Sequence, residues 1–315
     1  MSASGVRGGA AEAPPTVVAQ TAVDILDLPP ELSPFRRALH RFLSHRPALI
    51  GLTVILILAL MGLLADYVTP FEPTRVHVHK VLHSPDTVNW LGTDQVGRDV
   101  LSRIAFGARV SMSVGLVAVS IYLVIAFAFG ATAGLLGGRV DNLIMRFTDV
   151  VMTFPSFILI LVIAGILGPN IFNVMVIIGI FGWPGLARLI RGQILVLREL
   201  DYVVASRALG ASHWHIMFRH LLPNIIGPVS VAITLGVAGA ILAEAGLSFL
   251  GLGVSEPTAS WGSMISQARG IAYLADMPWM WIAPGAAISI TVLSINFIGD
   301  GLRDAFDVRG GRVGG

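Results

Sequence analysis

Long uncharged apolar runs are the feature that most constrains how this chain can fold. They cover residues 48–65, 110–136, 150–187, 225–243 and 277–299. A helix needs about 20 apolar residues to cross the hydrocarbon core of a bilayer, so each run can form at least one crossing. The run at 150–187 is long enough for two, and its centre carries the turn signature Gly168, Pro169 and Asn170. The pattern therefore predicts six transmembrane helices.

Composition supports a membrane protein. Charged residues make up 13% of the chain, whereas an ordinary soluble domain carries about 25%. The polar loops between the runs are short, which favours one membrane domain over the two soluble domains that a length of 315 residues would suggest. Cysteine is absent, which excludes a disulfide framework, a thiolate metal site and a cysteine nucleophile. We predict an all-α integral membrane fold with its transmembrane domain at residues 48–310.

Two segments precede the first apolar run. Residues 1–32 are rich in Ala, Gly, Pro and Ser and lack the pattern of a signal peptide, so we predict a disordered cytoplasmic tail. Residues 33–47 have the sequence SPFRRALHRFLSHRP. In a helix this segment would place its apolar side chains along one stripe and its arginines on the rest of the surface. This basic segment is either an amphipathic helix at an anionic membrane surface or a flank without regular structure.

Lys and Arg are unevenly distributed between the two sides of the predicted membrane domain. Fifteen of the 21 lie on the side of the N-terminus, and six lie on the opposite side. Because cytoplasmic loops carry the excess of Lys and Arg, both termini are predicted to be cytoplasmic. Lys80 is the single lysine and lies within VHVHKVLH, whereas a P-loop needs its lysine after GxxxxG. The chain itself is therefore not a P-loop ATPase.

The cytoplasmic loop 188–224 contains the segment DYVVASRALGASHWHIMFRHLLPN at 201–224. Its pattern predicts a short helix ended by Gly210 in left-handed geometry, and a second helix capped by Ser212 and stopped by Pro223. The small residues Ala205, Ser206 and Ala208 leave a low surface that another protein can approach closely. The loop is therefore predicted to be a docking site without catalytic residues.

This loop resembles the cytoplasmic signature of membrane subunits from binding-protein-dependent ABC importers, which reads EAA, three residues, Gly, nine residues and I-x-L-P. The spacing is complete, and the matching residues are Ala205, Gly210, Leu222 and Pro223. Three positions differ, where Val204, Ser206 and His220 replace the Glu, the second Ala and the Ile of the signature. The segments 91–115, 244–265 and 296–309 are similar to the C-type permeases of dipeptide, oligopeptide and nickel importers. The resemblance covers residues 33–310.

The resemblance implies a type I importer permease fold and a set of partners in a bacterial cytoplasmic membrane. The implied partners are a second homologous permease, two ABC ATPases, an extracytoplasmic binding protein and membrane lipid, without nucleic acid. ATP and Mg²⁺ would be bound by the ATPases, and this chain would hold no cofactor and catalyse no reaction. The implied ATPase-coupling residues are Ala205, Ser206, Arg207, Ala208, Leu209, Gly210, Leu222 and Pro223.

Two further sets of ionisable residues are candidate sites. Glu244 follows an apolar run, and an ionisable residue at membrane depth is a functional-site hypothesis, so it is either a pore or gate residue or a brace for the adjacent glycine-rich turn. Asp94, Arg98 and Asp99 form a polar cluster on the external side, which is either an entrance and binding-protein dock or a solvated loop. His77 and His79 lack neighbouring carboxylates, and we predict no metal site.

Three functions remain open at this stage. An ABC permease requires the cytoplasmic helix-turn-helix and few intramembrane charges, and the sequence has both. A secondary transporter would carry midplane ionisable residues and broken helices, and a membrane scaffold would not need the Gly210 turn. The substrates of the similar importers include dipeptides, oligopeptides and nickel chelates, among which peptides are favoured.

Overall fold

The computed structural model describes residues 34–306, and its regular elements are helices apart from one isolated bridge between Thr93 and Asp99. The all-α prediction is confirmed. The predicted disordered tail at 1–32 lies outside the described residues. In chain order the α-helices are α1 (Pro34–Ser44), α2 (Arg46–Leu63), α3 (Ala65–Val68), α4 (Val100–Leu136), α5 (Gly138–Thr153), α6 (Ser156–Leu167), α7 (Ile171–Leu197), α8 (Asp201–Ala208), α9 (His213–His215), α10 (Leu222–Phe249), α11 (Trp261–Gln267), α12 (Ile271–Asp276) and α13 (Trp279–Phe306).

The transmembrane crossings are formed by five long apolar helices and one bent pair. Helices α2, α4, α7 and α13 each satisfy the length and hydropathy of a crossing, as does α10 together with the segment that precedes it. The bent pair is α5 and α6, which meet at 75° and give a sixth crossing when counted together. The chain is therefore a multi-pass membrane protein.

The predicted hairpin at 150–187 is correct at its turn and wrong in its first arm. Gly168 adopts φ +81°, and the Asn170 side chain caps α7 by accepting a hydrogen bond from the Phe172 N–H at 2.8 Å. The first arm is not continuous, because the helix breaks at Phe154 and Pro155. A proline disfavours helical geometry in the residue before it and has no N–H to donate.

Helices α4 and α7 form the most extensive contact of the bundle. Glycines make this close approach possible. A Cβ added to Gly130 would lie 2.5 Å from the carbonyl oxygen of Ala187, and one added to Gly179 would lie 2.6 Å from the Cβ of Ile121. The main buried apolar cluster is centred on this contact and includes Ile190, Ile194 and Val174.

The basic segment is helical, as one of its two predicted alternatives requires. Helix α1 packs against α13 through its buried Ala38, while Arg36, Arg37 and Arg41 are exposed. His45 then begins α2, because its Nδ1 accepts a hydrogen bond from the Ala48 N–H at 3.2 Å.

Candidate functional sites

The loop that is predicted to be cytoplasmic has the expected helix, glycine turn and helix. Gly210 follows α8 with φ +85°, and its N–H donates to the Arg207 carbonyl at 3.0 Å. Ser212 caps the next helix, since its Oγ accepts from the His215 N–H at 3.2 Å. The loop is shorter than the predicted 188–224, because α7 continues to Leu197 and α10 begins at Leu222.

Pro223 does not stop the second helix, so this part of the prediction is wrong. A π-helical segment, Ile216–Leu221, connects α9 to α10, and the Leu222 N–H donates to the Met217 carbonyl five residues earlier. Pro223 lies in the first turn of α10, where a missing N–H is tolerated. The chain from His213 to Phe249 is therefore one continuous helix of 37 residues.

An exposed apolar surface covers the cytoplasmic tip of this loop. We define the loop surface as Val204, Ala208, Leu209, Trp214 and Phe218. Leu209 is 88% exposed and Trp214 is 74% exposed, and the Trp214 ring stacks on Phe218 with the ring centroids 5.7 Å apart. Exposed apolar side chains grouped in this way mark a site of contact with another protein or with the membrane.

The predicted coupling residues lie in and around the loop surface. Ala205, Arg207 and Ala208 are exposed on α8, and Ser206 is half-buried. Val203 is fully buried in the main apolar cluster and attaches α8 to the bundle. The small side chains therefore face outward on a helix whose opposite side is anchored.

At the end of the bundle away from the loop surface, on the side predicted to be external, four charged residues form a cluster. We define the external ion cluster as Asp94, Arg98, Arg103 and Glu256, of which Glu256 is exposed and the other three are buried. Arg98 Nε donates to Asp94 Oδ2 at 2.7 Å, and the Arg98 guanidinium also contacts Glu256. Arg103 Nη2 donates to Glu256 at 3.1 Å, and its Nε lies 3.6 Å from Asp94. Two arginines and two carboxylates thus balance in charge and join the start of α4 to the loop between α10 and α11.

The predicted three-residue cluster is divided in two by the structure. Asp94 and Arg98 pair with each other, whereas Asp99 caps α4 by accepting from the Ser102 N–H at 2.8 Å and the Ser102 Oγ at 2.7 Å. All three predicted residues are buried, so the alternative of a solvated loop is wrong. Sequence reasoning missed Arg103 and Glu256, although an arginine four residues inside a long apolar helix is a detectable signal.

Electrostatics in this cluster favour the ionised carboxylate. Burial opposes ionisation of Glu256, but the charge of Arg103 and hydrogen bonds from Arg98 and Arg103 outweigh it and hold the pKa of Glu256 below its ordinary value. Burial likewise opposes the charge on Arg98, while Glu256 and Asp94 outweigh that effect and raise its pKa. The cluster therefore contains ion pairs rather than neutral hydrogen bonds.

Glu244 lies on α10 and is completely buried. Its carboxylate accepts hydrogen bonds from Ser111 Oγ of α4 at 3.1 Å and from Ser248 Oγ at 2.7 Å. Ser111 Oγ in turn accepts from the Trp261 N–H at 3.3 Å, and Ser248 Oγ accepts from the Val254 N–H at 3.1 Å. Glu244 thus connects α4, α11 and the glycine-rich turn after α10.

This geometry bears on the two interpretations of Glu244. The side chain is fully buried and lies outside the lining of the cavity beside Pro155. The bonds through Ser248 reach the turn that contains Gly251, at φ +82°, and Gly253. The structure favours the brace.

Metal-site geometry is absent from residues 34–306, where no three His, Asp or Glu side chains come together. The rings of His215 and His220 do meet, with centroids 5.6 Å apart. The π-helical segment begins directly after His215 and contains His220.

Comparison with known sequences places these sites in a family context. The model for binding-protein-dependent transport system inner membrane components matches residues 126–310, which include the loop surface and Glu244. The model for the N-terminal transmembrane domain of oligopeptide transport permease C matches residues 33–85. The two matches together cover every crossing except the first part of α4, which lies between them.

Individual relatives are similar over nearly their whole length. A Brucella suis protein whose name includes the words peptide permease protein is 45% identical over 282 residues, which are 90% of this chain and 93% of that protein. The oligopeptide transport system permease protein of Bacillus subtilis is 38% identical, over 88% of this chain and 90% of its own length. The dipeptide transport system permease protein of Alkalihalophilus pseudofirmus is also 38% identical, over 89% and 93%.

Proposed function

The chain belongs to the family of binding-protein-dependent transport system inner membrane components, and we propose that it is a non-catalytic permease subunit that imports peptides. In this proposal a second homologous permease completes the translocation path, two ATPase subunits bind ATP and Mg²⁺, and an extracytoplasmic binding protein delivers the peptide. The peptide assignment is supported by the relatives, whose names include peptide, oligopeptide and dipeptide permeases.

The observation that carries the proposal is the mechanical continuity between the loop surface and a transmembrane helix. Helix α8 ends at the Gly210 turn, and from His213 the chain runs without interruption to Phe249. A force applied to Trp214 or Phe218 by a partner therefore acts directly on α10. Helix α10 carries Glu244, whose hydrogen bonds extend to α4 and α11. Movement of an ATPase can thereby reach the external half of the bundle.

The orientation follows from the charges. Arg188, Arg191 and Arg198 lie at the same end of α7 as the loop surface, and the excess of Lys and Arg marks the cytoplasmic side. The charge distribution supports a cytoplasmic position for the loop surface, within reach of ATPases, and a position outside for the external ion cluster. We propose that both termini are cytoplasmic and that the binding protein docks near the external ion cluster.

Reconstitution of the full complex in proteoliposomes tests this function. The expected result is uptake of labelled di- and tripeptides that requires both ATP and the binding protein. Ala205→Trp places a large side chain on an exposed face of α8, so the bundle should remain folded while the ATPase subunits dissociate or hydrolyse ATP without uptake. Normal ATP-driven uptake by a complex shown to contain Ala205→Trp would contradict the coupling role.

A secondary transporter is the second candidate, because α5 and α6 form a broken crossing, a feature of such transporters. Among the described residues only this one crossing is broken, and the residues that line the cavity at the break have no ionisable side chain. The same proteoliposomes separate the two functions. Uptake driven by a pH or sodium gradient without ATP would support the second candidate, and gradient-independent, ATP-driven uptake supports the first.

A further inference from the structure

The break between α5 and α6 borders a cavity that the transport machinery described above does not use. The cavity has a volume of about 290 Å³, and its lining includes Met152, Phe154, Ser156, Leu159, Phe181 and Gly185. Ligand pockets in proteins begin at roughly 300 Å³. The cavity therefore suits a ligand group that is slightly larger than a single ring.

The break lies within the membrane. Helix α6 has 12 residues between the break and the external turn at Gly168, which corresponds to about 18 Å at 1.5 Å per residue. The hydrocarbon core is about 30 Å thick. The break is therefore past the midplane on the cytoplasmic side, consistent with the Arg188–Asp149 ion pair of 2.7 Å one turn further on.

Irregular backbone at this depth does not face lipid, because each unsatisfied backbone group there costs several kcal/mol. Pro155 cannot donate to the Val151 carbonyl, and Pro184 of α7 cannot donate to the Ile180 carbonyl. Residues 152–158 are all exposed, so this chain does not cover the break itself. An aqueous path beside the break satisfies these groups and leaves the cavity open to a solute.

The walls of the cavity are held in place by contacts that do not involve its lining. Arg191 of α7 binds both carboxylate oxygens of Asp141 on α5, at 2.5 and 2.6 Å. The Trp183 ring stacks against both Phe129 and Phe147, with centroid distances of 4.8 and 5.9 Å. Helix α5 is thus fixed at its angle to α7, and the cavity is preformed.

We propose that this cavity is a subsite of the translocation path that holds an apolar or aromatic side chain of the transported peptide. Phe154, Phe181, Met152 and Leu159 supply the apolar contact, and the carbonyl of Val151, which also lines the cavity, accepts a hydrogen bond from a peptide N–H group. The proposal rests on the proposed peptide import and adds a location and a side-chain class to it.

Gly185→Leu tests the subsite. A Cβ at Gly185 meets no atom within 4 Å, so a leucine there fills the cavity without disturbing the fold. The matched control is Gly165→Leu on α6, where the added Cβ is equally free and points to the opposite helical face from Ser156, nine residues away. The readout is ATP-driven uptake of labelled Ala-Phe-Ala and trialanine by the complete complex. Each tripeptide is supplied at a saturating concentration, together with an excess of binding protein.

We expect Gly185→Leu to lower the uptake ratio of Ala-Phe-Ala to trialanine about tenfold, which is typical of steric discrimination in an apolar pocket. Gly165→Leu should leave this ratio unchanged. An unchanged ratio in Gly185→Leu, with wild-type uptake of both tripeptides, would overturn the subsite alone. Failure of the wild-type complex to transport either tripeptide would overturn the proposed peptide import, and the ligand of the subsite with it.

Solvent access to the break is a second, independent measurement. Ser156→Cys in the otherwise cysteine-free chain should react with a water-soluble thiol reagent in the assembled complex. Val162→Cys, 51% exposed in the middle of the same helix, should react only with a membrane-soluble one. If Ser156→Cys is also reached only by the membrane-soluble reagent, the cavity is covered by lipid or by the second permease and the proposal is wrong.

Discussion

The side chain of Arg103 donates to the carboxylate of Glu256 at 3.1 Å, although 153 residues separate them in the chain. Arg103 has no exposed side-chain area, so its charge depends on Glu256 and Asp94 for compensation. The pair joins the start of α4 to the turn that follows α10, the helix continuous with the loop surface. The external ion cluster thus lies at the far end of the element through which coupling is proposed.

Glu256→Gln should destabilise the protein by roughly 2–3 kcal/mol. Breaking a fully buried ion pair costs roughly 3–5 kcal/mol, and the expected cost is lower here because the Glu256 side chain is 45% exposed. The matched control is Asp66→Asn, which removes an exposed partner of Arg109 and should cost less than about 1 kcal/mol. Thermal unfolding of the detergent-solubilised complex measures both. Equal shifts would show that the external ion cluster contributes no more than a surface pair.

The contribution of Glu256 should depend on pH in one direction. Its pKa in the folded protein is below the ordinary value of 4.5, so its stabilisation is complete above that value and is lost as the pH falls through the folded pKa. The stability difference between wild type and Glu256→Gln should be constant between about pH 6 and pH 8 and shrink below about pH 4.5. Unfolding temperatures of both proteins across this range provide the measurement, and a difference that grows on acidification would contradict the ion-pair assignment.

Gly210→Val should uncouple ATP hydrolysis from uptake. A β-branched residue at φ +85° costs roughly 1–2 kcal/mol in left-handed geometry, which should distort the turn and weaken ATPase binding about tenfold. Gly210→Asn is the control, because asparagine tolerates this geometry. Pull-down of the ATPase subunits, with ATPase and uptake assays on one preparation, gives the result. Loss of uptake in both variants alike would point away from backbone geometry as the cause.

Glu244→Gln should preserve assembly and keep the uptake rate within about tenfold of wild type. The amide oxygen still accepts from one of the two hydroxyls, Ser111 or Ser248, and the amide NH2 can donate to the other. Glu244→Leu removes both acceptors from buried hydroxyls and should destabilise the bundle by about 1–3 kcal/mol. Uptake against pH in proteoliposomes and thermal unfolding are the measurements. Abolished uptake and loss of its pH dependence in Glu244→Gln, with ATPase activity intact, would indicate proton coupling instead of bracing.

Single cysteines should report the proposed orientation, since the native chain has none. Ser84 and Ser212 are both exposed, in the external loop and the cytoplasmic loop respectively. In intact cells an impermeant thiol reagent should label Ser84→Cys and leave Ser212→Cys unlabelled until the membrane is permeabilised. Labelling of Ser212→Cys from outside would invert the topology.

The elements that could be predicted from the sequence are those set by local properties. Hydropathy over about 20 residues identifies a crossing wherever it occurs, and a glycine followed by proline and asparagine forms a turn at 168–170 regardless of its neighbours. The Gly210 turn and the Ser212 cap depend on residues within four positions of each other. For this reason the helix-turn-helix and the positions of the crossings could be predicted in advance.

Tertiary structure decided the rest. Pro155 marks a break, but its 75° bend is held by the contacts of Asp141 and Phe147 with α7. Pro223 looks like a helix stop, yet the π-helical segment places it in the first turn of α10. Glu244 could be a pore residue or a brace until Ser111, 133 residues away, is brought within 3.1 Å. Likewise, the packing of α4 against α10 and α11 determines which charges compensate one another, because burial without a partner is costly and the partner can lie anywhere in the sequence.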